Sequence, residues 1–129
     1  MRKIVISTQN VLLSDALIKH LNDRGDIQTQ RTPCPFVDGE VLKLCKAVKP
    51  DALLLEVSYT SQFTYDERIK GINIIRTELP ECKIALLCDE NVNPELAEKI
   101  TTAKKLGIID AFFYSSVSWE YLTAALEAL

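Results

Sequence analysis

A single histidine, His20, is all the imidazole that this 129-residue chain contains. That leaves little for a histidine-built zinc site or a Cys-His catalytic dyad. The four cysteines, Cys34, Cys45, Cys82 and Cys88, include no Cys-x-x-Cys pair. They read as reduced cytosolic thiols rather than a disulfide framework. No apolar run approaches the ~20 residues of a membrane span. The run Ile4-Val5-Ile6 behind Arg2 and Lys3 is too short for the core of a signal peptide. A cytoplasmic location is therefore expected. A strong excess of basic charge is missing too: the net charge is -3 at pH 7, which argues against direct nucleic-acid binding. Repeats, low-complexity tracts and linkers are absent, so one domain over residues 1–129 is expected.

What is present is a regular alternation. Pro50-Asp51-Ala52-Leu53-Leu54-Leu55-Glu56-Val57 carries a short unbroken apolar run that ends in a carboxylate. Such a run fits a strand buried on both faces, in the middle of a parallel sheet. Ligands of open parallel sheets sit beyond the carboxyl ends of the strands, so Glu56 occupies a functional position. Lys3 to Ser7 reads as a first strand, and Ile27 to Arg31 as a polar edge strand. Cys82 to Cys88 and Ile108 to Tyr114 complete a set of five strands. Helices are expected from Val11, capped by Asn10 and stopped near Gly25, and over Val37 to Val48. Three more follow: Gly71 to Pro80, Pro94 to Gly107 behind Asn93, and from Ser118 to the end. The stretch from Tyr59 to Lys70 is polar and irregular. Five strands alternating with five helices predict a flavodoxin-like (βα)5 doubly wound parallel sheet, with strand order 2-1-3-4-5. In that order Thr8, Gln9 and Asn10 face Glu56.

Three stretches carry a family resemblance. They are Leu12-Leu13-Ser14-Asp15-Ala16-Leu17, Lys49 to Ser58, and Gly71 to Arg76 followed by Cys82 to Leu87. In their order and spacing the chain resembles the CheY-like receiver domain of two-component response regulators. Receivers take part in signal transduction and phosphorelay. The resemblance implies an acidic pair that holds Mg2+ at the end of the first strand; here Thr8 and Gln9 stand there. It implies a phosphoacceptor Asp, and Glu56 stands there. The Thr or Ser that ends the fourth strand falls on Cys88, and the Lys that ends the fifth falls on Ser115, or on Tyr114 if the alignment slips by one. Phosphoryl transfer to a carboxylate needs a divalent cation to neutralise charge. Thr8 and Gln9 supply no charge to bind one, so Mg2+ binding is expected to be weak or absent. Glu56 is also one methylene longer than Asp, and a misplacement of about 1 Å costs on the order of a hundredfold in rate. The resemblance thus points to a pseudo-receiver without enzymatic activity and without catalytic or metal-binding residues.

Glu56 then has two readings: a permanent stand-in for a phosphorylated Asp, or a polar residue satisfied by nearby backbone groups. The turn after the first strand has no Gly, which disfavours flavin binding. Cys88 lies beside Asp89 and Glu90, which discourage a reactive thiolate, so a structural role is expected. The runs Asp66-Glu67-Arg68 and Lys104-Lys105 read as solvated helix faces. Phe112, Phe113, Tyr114, Trp119 and Tyr121 cluster within ten residues. Receivers often use the face of the fourth helix, fifth strand and fifth helix for dimers and partners. Phe113, Tyr114, Trp119, Tyr121, Lys104 and Lys105 are therefore the candidate interface for a protein partner or a homodimer. A second reading makes the chain the receiver part of a longer DNA-binding transcription regulator, with an output domain following Leu129.

Overall fold

The computed structural model describes residues 2–8, 11–32, 40–57, 64–88, 94–114 and 116–129. Ten elements alternate: β1 (Arg2–Ser7), α1 (Val11–Asn22), β2 (Ile27–Arg31), α2 (Glu40–Val48), β3 (Ala52–Val57), α3 (Tyr65–Glu78), β4 (Lys83–Cys88), α4 (Pro94–Lys105), β5 (Ala111–Tyr114) and α5 (Trp119–Ala128). All strand pairs are parallel and the order is 2-1-3-4-5, the flavodoxin-like arrangement expected from the alternation.

The apolar run at the centre does what its composition requires. Ala52, Leu53, Leu54 and Leu55 are all buried. Successive side chains point to opposite faces, so one sheet anchors two cores. Leu53, Leu55 and Val57 join Val5, Ile72, Ile75 and Ile100 on one side, while Ala52 and Leu54 join Ile4, Ile6, Leu17, Leu122 and Leu126 on the other. Asp51 registers the strand starts: its carboxylate accepts from the Lys3 amide at 2.8 Å, and its carbonyl accepts from the Lys83 amide at 2.9 Å.

Two boundaries differ from the sequence reading. α3 begins at Tyr65, capped by the Thr64 hydroxyl, so the supposedly irregular stretch already holds its first turn and a half. β5 begins at Ala111, because Ile108 belongs to the turn that closes α4. There the Ile108 amide donates to the Ala103 carbonyl and the Gly107 amide to Lys104, a Schellman ending that needs the left-handed Gly107, at φ 77°. Asp110 also lies ahead of β5, where its carboxylate takes Arg76 at 2.6 Å and the Ile84 amide at 2.8 Å. α2 is described from Glu40; the expected start at Val37 lies outside the described residues. Gln9, Asn10, Asn93, Ser115, the Pro33–Pro35 loop and the Leu13 side chain lie outside the described residues.

Candidate functional site

The strand order brings the ends of β1 and β3 together. Ser7 pairs with Leu55, so Thr8 and Glu56 follow side by side at the mouth of the sheet. Glu56 in turn pairs with Leu87, and Val57 with Cys88. Cys88 is fully buried and its thiol donates to the Phe113 carbonyl at 3.6 Å. Burial and this hydrogen bond fit the structural role read for it. Glu56 is half-buried. Gln9 and Ser115, the other positions singled out, lie outside the described residues.

The dominant charged group of the site is one that the sequence reading assigned to solvent. Arg68 is not on a wet helix face: it is 5% exposed. From the first turns of α3 its guanidinium reaches both strand ends. Nε donates to the Glu56 carbonyl at 2.8 Å, and Nη2 donates to the Ser7 carbonyl at 3.1 Å and to Ser7 Oγ at 3.0 Å. Ser7 is fully buried, and its hydroxyl also accepts from Thr32 Oγ1 at 3.4 Å. A polar chain therefore runs from the end of β2 through β1 to α3. Burial pushes the Arg68 guanidinium down from 12.5 to about 10, with the Glu56 carboxylate pulling the other way. It stays positive at neutral pH. The planar fork suits this place because it satisfies acceptors on two strands at once. A signal for it was present: Arg68, Ile72 and Ile75 share one helical stripe, all buried.

The aromatic cluster divides by strand alternation. Phe113 turns inward against Leu122 and Leu126, so it is core and offers no surface to a partner. Tyr114 and Tyr121 are 40% and 61% exposed. Phe112 is half-buried, edge-on to Tyr114 and under Lys104, whose Nζ lies 5.7 Å from its ring centre. Trp119 is also half-buried and stacks on His20 at 6.1 Å, joining α5 to α1. Lys104 and Lys105 are exposed.

Neither a protein-family model nor a curated protein matches the sequence. Solved structures match the fold. The chain is similar to a LuxR-family DNA-binding response regulator from Staphylococcus aureus, at 16% identity and a TM-score of 0.73, over 99% of this chain and 98% of that one. It is similar to chemotaxis protein CheY4 of Vibrio cholerae at 19% identity and a TM-score of 0.71, with 99% and 98% covered. An adenylate cyclase structure from Rhodopirellula baltica matches at 16% identity and a TM-score of 0.76, over 98% and 85%. The architecture is thus the CheY-like receiver fold. Among the described residues no helix is long and apolar enough to cross a membrane.

Proposed function

We propose that this chain is a pseudo-receiver: a signalling module of the response-regulator type that works through protein contacts, in the cytoplasm, without Asp phosphorylation or enzymatic activity. The observation that carries this reading is Arg68. Its buried guanidinium holds the ends of β1 and β3 together, next to the place where an active receiver gathers carboxylates around Mg2+. Among the described residues the donor set does not fit that ion. Thr8 offers a neutral hydroxyl, Glu56 is one carboxylate, and a fixed positive charge stands beside them. Hard divalent cations need several oxygen ligands with negative charge among them. Among the described residues no group of three or more His, Cys, Asp or Glu could hold a metal. The same composition argues against borrowing the activity named for the adenylate cyclase neighbour. The exposed Tyr114 and Tyr121 supply aromatic side chains of the kind in which protein interfaces are enriched, with Lys104 and Lys105 exposed beside them.

Incubation with Mg2+ and a small phosphodonor, followed by intact mass measurement, tests the proposal. The expected result is an unchanged mass; stoichiometric gain of one phosphoryl group overturns it. The name of the Staphylococcus aureus neighbour favours a second reading, in which this chain is the receiver part of a longer DNA-binding regulator. The length of the parent reading frame decides between the two.

A further inference from the structure

Parallel strands bring their last carbonyls to one end of the sheet, and a carbonyl buried there needs a donor. At the ends of β1 and β3 three such oxygens converge on one side chain. Arg68 Nη2 donates to the Ser7 carbonyl at 3.1 Å and to Ser7 Oγ at 3.0 Å, while Nε donates to the Glu56 carbonyl at 2.8 Å. The enclosure is tight: Ser7 is fully buried and Arg68 is 5% exposed. Thr32 Oγ1, itself buried, donates to Ser7 Oγ at 3.4 Å and holds that hydroxyl from the β2 side. The three oxygens are neutral, and the negative charge that acts on Arg68 is the Glu56 carboxylate. Such a set matches a singly charged cation, whereas hard divalent ions take sets richer in carboxylate oxygens. The spacing matches a plane as well. The acceptors stand on two neighbouring strands, and two nitrogens of one rigid guanidinium reach them together, which a single ammonium point charge does not do.

We propose that this end of the sheet is a guanidinium site, built by Ser7 and Glu56 for a planar, singly charged cation and filled from within the chain by Arg68. The inference rests on the reading above, in which this place does not serve Mg2+, and goes beyond it by giving the chemistry that the place selects. The occupant is attached covalently through α3. The junction of β1, β3 and α3 therefore keeps one arrangement whatever divalent ions surround it.

Arg68→Ala empties the site, and guanidinium added from solution tests it. Melting curves are recorded for wild type, Arg68→Ala and Arg68→Met, each with guanidinium chloride, MgCl2 or NaCl at matched ionic strength. At about 20 mM, an ion that binds the folded Ala variant with a Kd of a few millimolar raises its Tm by roughly 4 °C. Guanidinium chloride is expected to give that rise in Arg68→Ala. It gives none in wild type, where the site is filled, or in Arg68→Met, whose side chain takes up the space. MgCl2 acts on all three proteins as NaCl does. Should Arg68→Ala be unfolded in NaCl, recovery of a cooperative melt in guanidinium chloride is the same signal. An Arg68→Ala variant that guanidinium neither stabilises nor refolds, an equal rise in all three proteins, or a larger rise with MgCl2 than with guanidinium overturns the proposal. Intact mass of the wild-type chain after phosphodonor treatment separates the two readings. A phosphorylated chain whose Arg68→Ala variant is rescued refutes the pseudo-receiver and leaves the guanidinium site standing; an unphosphorylated chain without rescue does the reverse.

Discussion

Replacing Arg68 by Met keeps most of the side-chain stem and removes the guanidinium. Three charge-assisted hydrogen bonds go with it, to the Glu56 carbonyl, the Ser7 carbonyl and Ser7 Oγ. Bonds to charged groups contribute roughly 1.5–3 kcal/mol each. Opposing this, burying the charge is costly: the displacement of its pKa from 12.5 to about 10 corresponds to about 3 kcal/mol. The variant relieves that cost but leaves the buried Ser7 carbonyl without this donor. The net loss is about 2–4 kcal/mol, a drop in Tm of roughly 8–16 °C for a domain of this size. Arg68→Lys restores the charge but not the fork, since one ammonium cannot serve both strands. It recovers about half of the loss. Urea denaturation and thermal melts of the three proteins give the comparison. An Arg68→Met variant within about 1 kcal/mol of wild type would refute the argument that this side chain ties α3 to the sheet.

Two further outcomes concern the buried thiols and the end of α2. Burial, reinforced by Cys82, pushes the Cys45 thiol from 9.0 up to about 12, and burial pushes Cys82 up to about 11 against the pull of Arg76. Both therefore stay protonated in the fold at a pH where the unfolded chain loses protons. Their contribution to stability is complete below pH 9 and drains away as pH rises towards 11–12, at up to about 1.4 kcal/mol per pH unit for each thiol. A Cys45→Ala/Cys82→Ala double variant should show a flatter stability curve above pH 9; curves of equal slope would contradict the assignment. Lys49 ends α2 in the left-handed region, with φ 53°, where a side chain is strained and Gly is at ease. Lys49→Gly should raise stability by about 0.5–1 kcal/mol in a denaturant titration, and a loss of stability would show that the Lys side chain matters more than its backbone.

Much of the architecture was legible in the sequence, for a physical reason. A parallel sheet covered on both faces demands unbroken apolar strands, and Ala52–Leu55 and Ile84–Leu87 leave little alternative. The helices announced themselves through caps and stops such as Ser118 and Gly107. The start of α3 did not, because Tyr65 to Lys70 has only one strongly apolar side chain, Ile69, which is only partly buried against the core. Its inward position at 68 is an arginine that pays for burial with three hydrogen bonds. Read as a run of charges, Asp66-Glu67-Arg68 looks wet. Read as the turn before Ile72 and Ile75, it places Arg68 inside. Ile108 and Ile109 misled in the opposite sense: an apolar pair suggested strand, whereas Gly107 had already committed Ile108 to closing the preceding helix. Phe113 and Tyr114 were separable by alternation alone, but how far each ring reached the surface depended on α5, which no local pattern reports.

The two outermost strands limit how anything can take hold of this molecule. At one edge β2 shows water a row of Gln28, Gln30 and Arg31; at the other β5 is only four residues long. Neither edge invites an incoming chain to extend the sheet. A peptide seeking main-chain hydrogen bonds would find a charged, polar rim on one flank and a stub on the other. What the two edges leave available for contact, among the described residues, is chiefly the side chains that stand on the helices.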